Sequence, residues 1–344
     1  MAGKIRGPVK LAFIGCGGIS SVHAASLPRM RDKMEVTALC DISENNLKDR
    51  SEQLGGVKAL YTDWKKMLEE MDGQIDAVNI CLPHHLHASA ILDAVAAGKH
   101  IICEKPMCTK MEEADQIVEA VRKSGVTYMS AHNQLFLPVV QEAKRLIDAG
   151  EIGGIRWLRS QDCFLAGVGN ANPFRGTWRA NLETQGGGEL IDTGYHPTYR
   201  LLYLANSPIV AVRGSMGRFQ MAIEGEDTAS VQVRFANGAI GEILTSWAFG
   251  LPIGTHQIHV VGEKGQIYGS GTDLYVCHQG ERESKKKTLP GGDTFGAQLA
   301  HFADCLIHGT RPIHAAEEGR AVLEVIVKAA ENSEGWQKYA QVKV

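Results

Sequence analysis

The chain has 344 residues, with 36 Lys and Arg against 39 Asp and Glu for a formal net charge of −3. That length is more than one core usually organises and predicts two domains. The near balance of dispersed charges excludes a nucleic-acid or anionic-membrane partner, and the absence of a long unbroken apolar run argues against a membrane span. The cysteines Cys16, Cys40, Cys81, Cys103, Cys108, Cys163, Cys277 and Cys305 form no Cys-x-x-Cys pair. With Pro8 and Lys10 interrupting any signal-peptide pattern before the first strand, they predict a reducing, cytoplasmic setting.

In chain order, Leu11–Ile14 reads as a strand, Gly18–Met30 as a helix and Val36–Cys40 as a strand. A helix over Glu44–Leu54, a short strand near Ala59–Tyr61 and a helix over Trp64–Met71 follow. Next come a strand over Asp76–Cys81, a helix over Ala88–Ala97 closed by Gly98, and a strand over His100–Cys103. A helix over Glu112–Lys123 and a strand over Thr127–Ala131 end the alternation. Apolar strands separated by helices predict a parallel, doubly wound sheet of the Rossmann type, covered on both faces, over residues 1–133. Residues 134–344 change character. After a helix over Val139–Ala149, long segments dominate: Arg156–Phe164, Ile209–Phe219, Ala229–Phe235, Ile240–Ala248, His256–Gly262 and Gln266–Tyr268. Their period-two alternation predicts a large, open, mostly antiparallel sheet in an α+β domain. Glu281–Lys287 reads as a solvated hairpin, and helices over Phe295–Ile307 and Glu317–Ser333 close the chain. The last helix is available to pack back on the first domain. The open sheet face predicts a homodimer or homotetramer.

Val9–Ser20 carries the strongest chemical signal, an apolar strand entering a glycine turn and then a helix. Gly15 permits the tight turn, and Gly17 removes a side chain where backbone must approach phosphate. Gly18 and Ile19 open the helix, whose N-terminus attracts an anion, and Ser20 takes the place of the third glycine of Gly-x-Gly-x-x-Gly. Asp41 ends the second strand at the distance expected of a ribose-binding carboxylate, with helix capping as its alternative role. Ile42 and Ser43 follow Asp41 with no adjacent arginine, which favours NAD over NADP; Arg50 remains within reach of a 2′-phosphate.

Lys105, in Glu104-Lys105-Pro106, follows a parallel strand on the cofactor side. It is a candidate for stabilising an alkoxide, or else a surface lysine in a turn. Asp192 and His196 stand four apart, which on one helix puts them on one face. They form a candidate general-base pair, or else a capped helix start with a core histidine. His84, His85 and His87 sit on a single turn and do not supply the converging ligands that zinc needs, so no metal is expected.

Together these pieces resemble the Gfo/Idh/MocA oxidoreductase family over nearly the whole chain. The matching motifs are Gly15 to Ser20 with His23, Asp41, Leu82-Pro83 with His87, Ala97 to His100, Glu104-Lys105-Pro106, Asn133, Trp178-Arg179, and Gly186-Gly187-Gly188 through Asp192 and His196. The resemblance implies that Lys105 contacts nicotinamide ribose and substrate hydroxyl, that His196 is the general acid/base, and that Asp192 orients substrate or histidine. It implies further that Pro83, His84, His87 and Glu104 line the cofactor, and that Asn133 and Trp178-Arg179 line the substrate pocket. Many relatives carry an aspartate three residues beyond the histidine, where this chain has Tyr199.

The expected function is an NAD-dependent dehydrogenase of a secondary hydroxyl on a sugar, sugar derivative or cyclitol. Arg175, Arg179, Asn133 and Gln161, with His256 beside them, suit a polyhydroxylated substrate. Two alternatives remain: a carbonyl reductase or redox-cycling glycoside-cleaving enzyme on the same fold, and a non-catalytic sugar- or cofactor-sensing regulator.

Overall fold

In the computed structural model, which describes residues 5–167, 173–252 and 254–333, strand and helix alternate from the start. The elements are β1 (Val9–Ile14), α1 (Gly18–Ser26), β2 (Met34–Cys40), α2 (Glu44–Gln53), β3 (Ala59–Tyr61), α3 (Trp64–Glu70), β4 (Ala77–Ile80), α4 (His87–Ala96), β5 (His100–Cys103), α5 (Met111–Ser124) and β6 (Tyr128–Ser130). Next come α6 (Pro138–Asp148), β7 (Ile155–Cys163), α7 (Leu182–Gln185), α8 (Glu189–Asp192), α9 (Tyr195–Ala205), β8 (Ile209–Gly217), β9 (Thr228–Phe235) and β10 (Ile240–Ser246). The chain continues with β11 (Ile258–Gly262), β12 (Gly265–Ser270), β13 (Asp273–His278), β14 (Lys285–Thr288), α10 (Thr294–His308) and α11 (Ala316–Glu331). Helix α1 is shorter than the expected Gly18–Met30. It gives way to a 3-10 turn over Leu27–Arg29, because Pro28 has no N–H to continue the α-helical ladder.

Two compact units emerge. The first gathers residues up to Gln141 with Leu182–Gly186 and Leu289–Leu323. Its strands pair in parallel in the order β3-β2-β1-β4-β5-β6. Helices cover both faces, so β4 and β5 are buried at every residue. The chain reverses direction across the sheet between β1 and β4, whose last residues Ile14 and Ile80 are paired. Loops leaving neighbouring strands to opposite faces open a crevice at their carboxyl ends. The core beneath joins Val9, Leu11 and Phe13 of β1 to Leu299, Phe302, Ala303 and Leu306 of α10.

The second unit holds Glu142–Asn181, Gly187–Thr288 and the residues from Glu324. Its eight strands run β14-β13-β12-β11-β7-β10-β9-β8. All pairs are antiparallel except β7 with β10. Alternation decides the faces: along β9, Ala229, Val231, Val233 and Phe235 are buried while Ser230, Gln232 and Arg234 are exposed. Helix α9 covers the buried face over β7 and β10. A Cβ at Gly241 of β10 would come within 3.1 Å of Leu201 on α9 and 2.6 Å of Val233, so a glycine stands in the strand interior there. The lysine-rich run expected as a solvated hairpin supplies β14, an exposed edge strand paired with β13.

Candidate active site

In the first unit, β1 stops at Ile14 and the chain turns at Gly15 with φ +95°. A Cβ at Gly15 would collide with the carbonyl oxygen of Cys81 and lie 2.7 Å from its carbon, so no other residue fits. Gly17 and Gly18 face open space, with nothing within 4 Å of a Cβ built on either. Gly17 caps α1 without any side-chain hydrogen bond to the first turn, which leaves helix N–H groups for an anion. Asp41, just past β2, accepts from the Cys16 amide at 2.7 Å through Oδ2 and from the Ser43 amide at 2.8 Å through Oδ1. The helix-capping alternative for Asp41 falls to Ser43, whose hydroxyl accepts from the Asn46 amide at the start of α2. Asp41 is only half-buried and Oδ1 also accepts from the Asn46 side-chain amide at 3.3 Å, so Oδ2 is the freer oxygen for a ribose hydroxyl. Ile42 beside it is 89% exposed. Missing Cβ atoms, an uncapped helix start and an acceptor at the end of β2 together fit a dinucleotide.

Arg50 of α2 is turned onto the glycine loop. Its Nε donates to the Ser20 hydroxyl at 3.1 Å, and its NH2 group donates to the carbonyls of Cys16 and Gly17 at 3.2 and 3.1 Å. A hydroxyl at the third glycine position gives the guanidinium a partner that glycine could not.

The loops after β4 and β5 are tied to one another. His87 sets Nδ1 2.6 Å from the Pro106 carbonyl and Nε2 2.8 Å from the Leu82 carbonyl. Burial pushes its pKa below the ordinary histidine value, so the neutral ring donates to one carbonyl at a time. His84 Nδ1 lies 2.9 Å from the Gln185 carbonyl and His85 Nδ1 3.2 Å from that of Thr184. Glu104 is buried. Its Oε1 sits 2.8 Å from His23 Nε2, and Oε2 accepts from the Lys105 amide at 3.2 Å. Asn79 of β4 completes the chain at His23 Nδ1, 2.9 Å away. Glu104 therefore anchors the backbone from which Lys105 projects, half-buried at the carboxyl end of β5. The sequence singled out Glu104 without its partner; the coupling of His23 to it spans 81 positions and is invisible to local patterning. Asn133 opens a 3-10 turn and its amide donates to the Thr294 hydroxyl at 3.4 Å.

In the second unit, Asp192 and His196 do not share one helix. Asp192 ends α8 and His196 lies in the first turn of α9. Thr193 and Gly194 between them keep right-handed helical torsions, so the four-residue spacing still turns both through a similar angle. A Cβ at Gly194 would lie 2.7 Å from Leu190 Cα and 2.8 Å from the Thr245 methyl, which pins this junction against β10. Asp192 is buried and accepts from Arg179 Nε at 2.8 Å. The Arg179 guanidinium also lies 4.2 Å from the centroid of the Trp178 ring, a cation–π stack. His196 Nδ1 is 2.7 Å from the Tyr199 hydroxyl, so the residue that departs from the resembled pattern is one that meets the ring.

Three further groups hold this segment. Glu226 takes the amides of Glu189 and Leu190 on its carbonyl and Oε1, at 2.8 and 3.0 Å. Trp247 donates its indole N–H to the Thr193 hydroxyl at 2.8 Å. Glu189 is fully buried and accepts from the Thr245 hydroxyl. Burial, then the Glu226 and Asp192 carboxylates, push the Glu189 pKa well above the usual range. Glu189 was not among the expected site residues; a carboxylate directly after three glycines and before Leu190-Ile191 was the available signal. Of the other expected substrate residues, Arg175 is exposed, and Gln161 is buried with its amide donating to the His256 carbonyl at 2.7 Å. His256 packs at a tilt against Tyr268 and Tyr275, with ring centroids 4.7 and 5.3 Å away.

Comparisons with known proteins agree across both units. A family model described as an oxidoreductase family with an NAD-binding Rossmann fold matches residues 9–132, and the GFO/IDH/MocA C-terminal domain matches residues 140–268. The scyllo-inositol 2-dehydrogenase (NAD(+)) of Bacillus subtilis is 30% identical over 94% of this chain and 94% of its own length. The myo-inositol 2-dehydrogenase of Thermotoga maritima is 27% identical over 92% of this chain and 93% of its own. The solved structure of a levoglucosan dehydrogenase in complex with NADH and levoglucosan superposes with a TM-score of 0.86 at 21% identity, over 95% of this chain and 98% of that one.

Proposed function

Because this chain belongs to the Gfo/Idh/MocA oxidoreductase family, we propose that it is an NAD-dependent dehydrogenase of a secondary hydroxyl on a sugar, sugar derivative or cyclitol. That it is an oxidoreductase using a nicotinamide dinucleotide follows from the family. The choice of NAD over NADP rests on one observation: the Asp41 carboxylate stands at the end of β2 while Arg50 is spent on the glycine turn. A carboxylate accepts two ribose hydroxyls and repels a 2′-phosphate. The inositol dehydrogenases among its relatives support a polyhydroxylated substrate.

Nicotinamide, when bound, supplies the hydride acceptor. In this reading Lys105 hydrogen-bonds the substrate hydroxyl and stabilises the alkoxide that develops there. His196 takes the hydroxyl proton, held in orientation by Tyr199. Asp192, buried, and Arg179, partly exposed, offer a charged pair to substrate hydroxyls. The free thiols throughout the chain support a reducing, cytoplasmic setting. Among the described residues no helix is long and apolar enough to cross a membrane.

Absorbance at 340 nm with a panel of sugars and inositols, first with NAD and then with NADP, tests the reading. Net NADH that disappears in Lys105→Ala and His196→Ala is the expected result. Product without net NADH would replace it with redox cycling. Cofactor and sugar binding without any turnover would replace it with a regulator.

A homodimer or homotetramer through the open sheet belongs to the same proposal. Lys286, Tyr275, Tyr268, His259 and Arg159 pair side by side across β14, β13, β12, β11 and β7. Tyr268 and Tyr275 stack at 5.2 Å with an 8° interplanar angle. Such an aromatic row on a half-exposed face suits a second copy of the chain. A Tyr275→Glu protein should lose mass by light scattering, and an unchanged mass would refute the assignment.

A further inference from the structure

We propose that Arg50 and Ser20 form a charged brace behind the glycine turn, one that aims the turn's amides at the pyrophosphate and strengthens dinucleotide binding without touching the ligand. Arg50 is 6% exposed, and among the described residues its guanidinium hydrogen-bonds to two carbonyl oxygens and a hydroxyl, with the neighbouring Asp49 carboxylate favouring its charge without bonding to it. A buried cation without a carboxylate partner is costly unless something else supplies negative charge.

Peptide geometry shows how the brace acts. In a trans peptide the C=O and the following N–H point in opposite directions. Arg50 holds the carbonyls of Cys16 and Gly17, so the amides of Gly17 and Gly18 are turned the other way. Ser20 locks the same peptide from the helix side, since its hydroxyl donates to the Gly17 carbonyl at 2.7 Å while accepting from Arg50 Nε at 3.1 Å. The Gly17 carbonyl thus accepts twice, and its peptide plane cannot flip without breaking both bonds. A Cβ at Gly17 or Gly18 would meet open space, so no side chain of the turn stands in the way of a phosphate. Polarising those peptides by a cation strengthens their N–H groups as donors. The pyrophosphate then supplies the counter-charge across one peptide layer. Arg50 is a positioning residue, and its engagement here takes it away from a 2′-phosphate.

The proposal rests on dinucleotide binding by the first unit and is independent of the substrate. It is tested on the full chain by calorimetric titration with ADP-ribose, NAD, NADP and adenosine. Arg50→Met keeps the stem and removes the fork. It should weaken ADP-ribose and NAD by about 10- to 100-fold and adenosine, which lacks the pyrophosphate, by less than about threefold. NADP should weaken by the same factor as NAD. Ser20→Ala should weaken ADP-ribose by about threefold to tenfold. Arg50→Lys, which keeps charge without spanning three acceptors, should fall between wild type and Arg50→Met. These two variants carry the test if Arg50→Met does not melt cooperatively. ADP-ribose affinity equal to wild type in the folded variants would overturn the brace. So would a much larger loss for NADP than for NAD, which would make Arg50 a reader of the 2′-phosphate. A wild-type chain that binds no ADP-ribose would overturn the dinucleotide reading and the brace with it.

Discussion

Glu189→Gln should tilt the pH dependence of stability. Glu189 is fully buried, accepts from Thr245, and has no partner on Oε2 among the described residues. Burial, then Glu226 and Asp192, raise its pKa well above the usual carboxyl value. The native state therefore keeps a proton that the unfolded chain releases at about pH 4.3. Stability from this group is full below that pH and is lost as pH rises toward the folded pKa, by about 1.4 kcal/mol per unit. Glutamine has no such proton to release, so over two pH units inside that window the gap between the two stability curves changes by about 2.7 kcal/mol. At the acid end the variant should be less stable by about 1–3 kcal/mol, because the amide brings a further N–H into a pocket without an acceptor for it. The two curves cross, with wild type ahead in acid and the variant ahead toward neutral pH. Urea unfolding at about pH 5, 6 and 7, followed by tryptophan fluorescence, measures this. Trp247 reports from the same segment, being 1% exposed and bonded to Thr193. Parallel curves would mean that Glu189 is ionised in the folded protein and would refute the reasoning.

Gly15→Ala forces a Cβ onto the Cys81 carbonyl at φ +95°; a loss of at least about 3 kcal/mol is expected by denaturant melting, and an unchanged midpoint would contradict the geometry. Tyr199→Phe removes the hydroxyl at 2.7 Å from His196; kcat should fall by about 10- to 100-fold with KM little changed, whereas wild-type kcat would show that the phenol does not orient the ring. Asp227 accepts from the amides of Phe219, Gln220 and Met221 and from the Thr228 hydroxyl. Burial opposes its ionisation, yet these donors hold its pKa below the usual value. Its contribution is therefore present above the unfolded pKa near 3.9 and lost as pH falls through the folded pKa. Asp227→Asn should cost about 2–4 kcal/mol at neutral pH and less in strong acid; a gap that stays constant down to about pH 3 would contradict this.

The parallel sheet was legible because each strand is an apolar run bounded by a helix, as in Ala77–Ile80 and His100–Cys103. The second sheet was legible where one face is buried, as in β9. It was not legible at β14, where Lys285, Lys286 and Lys287 show no alternation and pairing with β13 alone decides the strand. The parallel pairing of β7 with β10 joins segments about eighty residues apart and leaves no local trace. At the site, the glycine turn and Asp41 declared themselves because the torsion at Gly15 and the end of a strand are local facts. The partners of Arg50 were not legible, since nothing near it in sequence shows that Ser20 and two carbonyls await its guanidinium. The break between Asp192 and His196 was missed because Gly194 is fixed by Thr245, which lies far along the chain.

The dependence of β1 on α10 bears on biosynthesis. Leu299, Phe302, Ala303 and Leu306 complete the core around Val9, Leu11 and Phe13. Strand β1 therefore waits for α10, a helix translated long after it. Until then the nascent nucleotide-binding half carries a bare oily flank, a surface for chaperones during synthesis and a reason why a gene truncated after the sixth strand would yield an aggregating product rather than a minimal binding module.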